Sequence, residues 1–497
     1  SSDLNFNDEL IEFITEQDDE LLEQYFDGNY CEEIWKRKFK TLIKECKVFP
    51  CFGGCALQDE GIVEFLFGFD ELTYTTYDCV ENENFIGKVF KVRHDDNGTR
   101  ITFLKCIKGS LNVRDEVTYG KNEEEATTQK ISSIRIYNGS KFRTCDKVTS
   151  GDIFGVLGLS KASAFDTIGE IREKDTCEMV PTLMSKVIFD KSYNVKDVLG
   201  YFKILESEDP SLNVIWNESL KELHVHIMGK IQLEILKEIV SERFNINVEF
   251  GPCEILYKET IKKETIGCGH FEPLRHYAEV IIKIEPMERN SGISFETCCH
   301  VDDLSINFQK LIKSHIFERE HHGLLTGSSI TDIKITLLNG RSHLKHTCGG
   351  DFREATYRAI RQGFEKVENI LLEPYYKFTI EVFQEHIGRV LTDIQRLHGT
   401  FEDPVNNEGK VIIIGKGPVS TFMDYTMEIA AFTRGKGIVN LVYDGYDLCH
   451  NSDEVIKRRD YNKNADIEYT SNSVFCSHGS GYIVEWQDAD QKMHCFK

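Results

Sequence analysis

Glu222-Leu223-His224-Val225-His226-Ile227 alternates apolar and polar side chains at a period of two. Leu223, Val225 and Ile227 share one face, and Glu222, His224 and His226 share the other, the mark of a strand buried on one side. Leu183–Phe189 before it is a second strand, followed by a helix over Asn194–Glu206. Leu212–Trp216 forms a hairpin with Glu222–Ile227 around Asn217–Ser219. A helix over Ile231–Arg243 and a strand over Ile246–Phe250 close the set. The order βαββαβ predicts a split two-layer domain.

The same order returns further along. Phe378–Phe383 reads as a strand, His386–Leu397 as a helix, Lys410–Gly415 as a strand, Val419–Phe432 as a helix and Ile438–Asp444 as a strand. Between the two split domains, Ala278–Glu285, Ser294–His300 and Ile330–Leu338 read as strands, with helices near Leu304–Phe317 and from Phe352 to about Val367. Upstream, Phe85–Val92, Arg100–Cys106, Glu116–Tyr119, Gln129–Tyr137 and Ile153–Leu159 are short apolar-rich runs separated by Gly, Asn and Asp. That spacing predicts a β-barrel. Helical spacing of Asp18–Tyr25 before Gly28, a helix at Glu32–Cys46, a strand at Lys47–Phe52 and a helix at Ile62–Phe67 suggest the closing piece of an α/β layer. One strand has no neighbour to pair with, so such a layer needs more chain or a partner to complete it.

The chain has 497 residues, of which 40% are hydrophobic and 28% charged, ample for several cores. Sixteen cysteines fall without a framework spacing and are expected to be mostly free, buried thiols. Cys476, His478 and Cys495 in the tail do not make a zinc-ligand pattern, and no third ligand accompanies His224 and His226, so no metal site is expected. No apolar run reaches membrane-spanning length and no secretory signal opens the sequence, which predicts a cytoplasmic protein with no membrane partner.

The net charge is −23. Its distribution is uneven: residues 254–360 hold 14 Lys and Arg against 15 Asp and Glu, a net of −1, with eight of the 16 histidines. This window is where contact with phosphate is expected. Within it, Asn339–Gly350 carries Arg341, His343, Lys345 and His346 on a glycine-containing loop, suited to phosphate and base contacts. Two more loops are expected at the same end: Thr265–His276, with His270, Arg275 and His276, and His321–Gly327, with His321 and His322.

GxxxxGK followed by Ser or Thr, the phosphate-cradling loop, is absent; Gly415-Lys416-Gly417-Pro418 lacks its first glycine and its hydroxyl. HExxH and GxSxG are absent as well, and no catalytic residue is assigned.

Several segments, in order, resemble the translational GTPases of the elongation factor G class. Val48–Leu57 resembles the last guanine-side loop of their GTP-binding domain, so Gly54, Cys55 and Ala56 would lie beside the base in an intact protein. Gly87–Val92 and Gly151-Asp152-Ile153 resemble the second domain, Glu222–Ile227 the third, Tyr257–Ile261 the start of the fourth, and Leu372–Tyr375, Gly388–Gly399 and Thr433–Gly437 the fifth. The resemblance implies six segments: residues 1–70, a remnant of the GTP-binding domain; 76–173, a β-barrel; 181–252, a ferredoxin-like domain; 253–371, an αβ ribosome-inserting domain; 372–450, a second ferredoxin-like domain; and 451–497, an extension. The fold class expected is multidomain α+β.

The shortened glycine-rich loop at Thr265–His276, the tail beyond residue 450, Arg93-His94-Asp95 and Arg100–Lys105 are similar to the ribosomal protection branch, which relieves tetracycline inhibition. That branch carries a Tyr-Ser-Pro-Val-Ser-type tip loop, whereas this chain has Ser342-His343-Leu344-Lys345-His346, and His343 falls where elongation factor G places a tip histidine. The resemblance therefore implies a monomeric body that binds ribosomal RNA and proteins of both subunits, not DNA. GTP and Mg²⁺ would serve a ribosome-stimulated GTPase in the intact protein, with none bound by this chain. A translocase-like paralogue and a non-ribosomal scaffold are the alternatives.

Overall fold

A computed structural model describes residues 32–497 apart from 74, 76, 78–82, 96, 121–125, 140, 172–179, 191, 218–220, 408, 467–468 and 496–497. The helix expected at Asp18–Tyr25 lies outside the described residues. The chain divides into two compact units, Ser1–Thr176 and Cys177–Lys497.

In the first unit, Ile86–His94, Arg100–Lys108, Ile153–Leu157, Ser133–Asn138 and Lys141–Cys145 make a sheet extended at its other edge by Thr167–Ile168. The expected barrel is corrected here. The six strands form an open sheet with Thr167–Ile168 and Lys141–Cys145 as its two edges, and among the described residues no ladder joins those edges. One edge strand is only two residues long, and Lys141–Thr144 on the other are exposed, so neither offers a long apolar edge for closure. Ser110–Asn112 pairs with Lys147–Thr149, and Glu116–Tyr119 with Thr127–Lys130, as separate two-stranded ladders. Val89, Leu104, Leu111, Ile134, Phe154 and Val156 fill one core beneath them.

Lys47–Phe52 forms no strand. Pro50 has no N–H, and no described strand lies beside it to pair. Helix Ile62–Leu72 buries Gly68 and Leu72 but leaves Val63, Phe65, Leu66, Phe67 and Phe69 exposed. All 13 described cysteines are free, yet only Cys106, Cys268 and Cys299 are buried, fewer than expected.

In the second unit, Leu183–Phe189, Ile215–Asn217, Glu222–Ile227 and Val248–Phe250 are arranged 2-3-1-4, counted along this segment. Helices Val195–Glu208 and Lys230–Phe244 cover one face, the first capped by Asn194, whose side chain accepts the Lys196 N–H. Asn369–Phe383, Lys410–Pro418 and Ile438–Leu448 form the second such sheet, with Thr400–Phe401 and Val405–Asn407 both pairing with Lys410–Pro418. The single helix expected at Val419–Phe432 is two, Val419–Phe422 and Tyr425–Phe432. Among the described residues no helix is long and apolar enough to cross a membrane.

Between the split modules lies a sheet ordered Ile293–Thr297, Ile333–Ser342, Ala278–Pro286, Thr265–Phe271, Ser473–Ser477 and Ser480–Val484. Helices Ile306–Phe317 and Gly349–Glu365 pack on it around Ile282, Ile284, Ile335, Leu337, Phe352, Ala355 and Ala359. Thr265–Phe271, read from sequence as part of a loop, is a central strand. Gly267 and Gly269 explain both facts. A Cβ on Gly269 would stand 1.9 Å from the Ala355 carbonyl oxygen, and one on Gly267 2.0 Å from that of Ala359. The glycines mark a strand pressed against helix Gly349–Glu365, not a flexible turn.

Candidate nucleic-acid interface

Strand order brings three connections to one end of this sheet. Ala278 pairs with both Phe271 and Ser342, so the 272–277 turn and the 343–348 loop leave the sheet side by side. Phe271 also pairs in parallel with Val474, which brings the Ser477–Ser480 turn to the same end.

The 343–348 loop is built by short-range bonds. Thr347 and His346 donate their N–H groups to the His343 carbonyl at 3.0 and 3.2 Å. The His343 N–H donates to Thr347 Oγ1 at 2.7 Å, and that hydroxyl donates to the Tyr277 carbonyl at 2.6 Å. Lys345 donates its N–H to His343 Nδ1 at 3.2 Å. The result is one tight turn that stacks the His343 and His346 rings at 4.6 Å and thrusts Leu344 fully into solvent. Arg341, His343, Lys345 and His346 are all exposed. Arg341 also reaches the His494 carbonyl at 3.4 Å.

Asp351, nearly buried, anchors both loops. Its Oδ2 accepts the Cys348 N–H at 2.8 Å, capping helix Gly349–Glu365, and the Tyr277 N–H at 3.3 Å. Its Oδ1 lies 2.7 Å from His276 Nδ1. His276, Cys348 and Asp351 offer ligand atoms within 4.8 Å of one another, with His276 and Cys348 exposed. Arg275, in the left-handed region at φ 68°, and His276 stand exposed on the neighbouring turn.

The other expected site residues lie elsewhere. His270 is wholly buried, with Nδ1 2.8 Å from Glu279 and Nε2 3.2 Å from Glu272, and its ring stacks on Phe475. It lies on a central strand, where Phe475 and Tyr277 cover its ring. His321 is buried between the Tyr469 hydroxyl and the Ile316 carbonyl, each at 3.0 Å. His321 and His322 sit beside Ser329 and Ile330, before the start of strand Ile333–Ser342. Ten residues of strand separate them from the tip, roughly 30 Å. The signal for this burial was distant: Tyr469 and the Lys463 carbonyl, which accepts from Arg361 at 2.6 Å, belong to the tail. His224 and His226 are partnered by Glu222 and Asn213.

In the first unit, Cys55 and Glu60 exchange backbone hydrogen bonds at 3.0 and 3.2 Å, closing a small loop. Gly54 lies against it, and Ala56 opens a short 3₁₀ turn with Leu57 fully exposed.

Comparison with known proteins accounts for this layout. Residues 84–170 match the model of elongation factor G domain 2, 184–252 that of domain III, 253–368 that of domain IV and 370–455 that of the elongation factor G C-terminus. The chain is 28% identical to tetracycline resistance protein TetP of Clostridium perfringens over 447 residues, covering 88% of this chain and 68% of that protein. It is 24% identical to elongation factor G of Aquifex pyrophilus over 489 residues, covering 91% of this chain and 69% of that protein. A crystal structure of ttk003000868 from Thermus thermophilus shares the fold with a TM-score of 0.51 at 22% identity, over 92% of this chain and 70% of that one. Four domain models in unbroken family order, with the tip loops described above falling in the domain IV match, place this chain in the elongation factor G family.

Proposed function

We propose that this chain is the ribosome-engaging body of an elongation factor G-like ribosomal protection protein, with the 343–347 turn as the element that enters structured RNA. Residues 76–173 and 181–252 would hold the small subunit, 372–450 would lie by the large-subunit RNA, and 253–371 would carry the tip. GTP and Mg²⁺ would be handled by a GTP-binding domain of which residues 1–70, with Gly54, Cys55 and Ala56, form a part. Relief of tetracycline-type inhibition is the outcome favoured by the likeness to a tetracycline resistance protein.

The observation that carries the reading is the tip itself. On a chain of net charge −23, Arg275, His276, Arg341, His343, Lys345 and His346 gather exposed at one end of one sheet. Their loops are braced by a shared buried carboxylate, so cations and a protruding Leu344 are presented at little ordering cost. His343 at the tip favours a second reading, a translocase-like paralogue; rescue of cells depleted of elongation factor G by the full gene product would select it.

Cosedimentation with ribosomes at low salt tests the proposal. The wild-type chain should pellet with ribosomes, and the pair H343A/K345A should pellet several-fold less while melting at the same temperature. Equal pelleting of both proteins, or none by the wild type, overturns it.

A further inference from the structure

The tail returns to the tip module. Past Ser480–Val484, helix Trp486–Lys492 covers Cys268 and Ile281, burying Ala489 and Met493, and the chain then turns inward. His494 and Cys495 arrive beside Glu279, which has no exposed surface and accepts their backbone N–H groups at 2.9 and 2.7 Å. His494 Nδ1 lies 3.9 Å from Glu279 Oε2, and His270 Nδ1 lies 2.8 Å from the same oxygen. Ligand atoms of His270, Glu279 and His494 all fall within 4.8 Å of one another. The Cys495 thiol lies beside the Glu279 carboxylate, outside that group of three.

We propose that His270, Glu279, His494 and Cys495 form a structural zinc site that fastens the C-terminal tail to the tip module. Two imidazoles, a carboxylate and a thiol are the donor set a tetrahedral zinc takes. Bonds of about 2.0–2.3 Å at tetrahedral angles separate neighbouring ligand atoms by about 3.3–3.7 Å. The separations of Glu279 from His270 and His494, 2.8 and 3.9 Å, bracket that span, so small shifts of these three side chains and a rotation of Cys495 toward them would seat the ion.

The surroundings are those of a metal centre. Glu272 holds the far nitrogen of His270 at 3.2 Å, the carboxylate–histidine pairing that aims the near nitrogen at a metal. The Tyr277 hydroxyl lies 3.0 Å from His494 Nδ1, a contact that coordination through this nitrogen would replace. Phe475 stacked at 4.0 Å on His270 shields one side from water. Binding would release the Cys495 thiol proton to solvent, and the thiolate and Glu279 carboxylate together would balance the two charges of the ion.

The full chain, purified without chelator, should carry about one equivalent of zinc by elemental analysis, with the tail's two ligands as the test of position. Replacement by Co²⁺ should give the near-ultraviolet absorption of a thiolate–cobalt bond; C495S should lose that band and H494A should lose most of the metal. C476S, on the nearby hairpin, should keep both. Wild-type protein that holds no zinc after incubation with Zn²⁺ and desalting overturns the proposal, as does zinc retained undiminished in both C495S and H494A.

Discussion

Asp351 Oδ1 stands 2.7 Å from His276 Nδ1 while its Oδ2 caps the helix that follows the 343–348 loop. One carboxylate therefore links helix start, Tyr277 backbone and the neighbouring turn. D351A would leave the Cys348 and Tyr277 N–H groups without their acceptor, at a cost of about 2 kcal/mol for a lost cap and charge-assisted bonds. H276A, at an exposed side chain, should cost less than about 1 kcal/mol. Urea unfolding of the two variants should separate them; equal midpoints would remove Asp351 from this role.

Close approach gives a second contrast. G269A places a methyl group 1.9 Å from the Ala355 carbonyl oxygen, in backbone that cannot yield cheaply. A loss of about 2–3 kcal/mol is expected, typical of overpacking in a closed site. Gly350 has nothing within 4 Å of its would-be Cβ, so G350A should change stability little or raise it slightly. Thermal melts that rank the two in the opposite order would refute the strand–helix contact.

Burial holds His321 at about 4, below its ordinary 6.5, against the hydrogen bond to Ile316 that favours the charged ring. As pH falls, the unfolded chain takes up this proton first. The contribution to stability is therefore whole above pH 6.5, declines between 6.5 and 4, and is fully lost below 4. At about 1.4 kcal/mol per pH unit the total is on the order of 3 kcal/mol. H321Q, which keeps a donor and an acceptor, should melt with a flatter pH dependence over that window. Parallel curves for the two proteins would show that another group titrates there.

Periodicity made the split modules legible: Glu222–Ile227 begins and ends where the alternation of side chains does, and Leu183–Phe189 forms the strand expected beside it. The exposed 343–346 turn was legible too, because Gly340 and Gly349 bracket a polar run. That the first unit's sheet stays open was not, since strand spacing says how many strands form and nothing about which edges meet. Nor was the burial of His270 and His321. Their covers, Phe475 and Tyr469, lie more than 140 residues away, and local sequence carries no sign of such partners. Gly267 and Gly269 misled for a related reason: the same residue serves a turn and a tight helix contact, and only the packing distinguishes them.

Charge at the tip should act through phosphate. Lys345 is exposed, so its ammonium would replace a counterion on RNA without discriminating sequence. K345Q should weaken ribosome binding most at low salt and reduce the slope of log affinity against log salt by roughly one counterion's worth. L344A differs. Leu344 carries no charge and stands wholly in solvent, so its loss should weaken binding by a similar factor at every salt concentration if it inserts against a base or an apolar groove. Filter binding or cosedimentation over a salt series separates the two effects. A K345Q slope identical to wild type would mean that this lysine meets no phosphate.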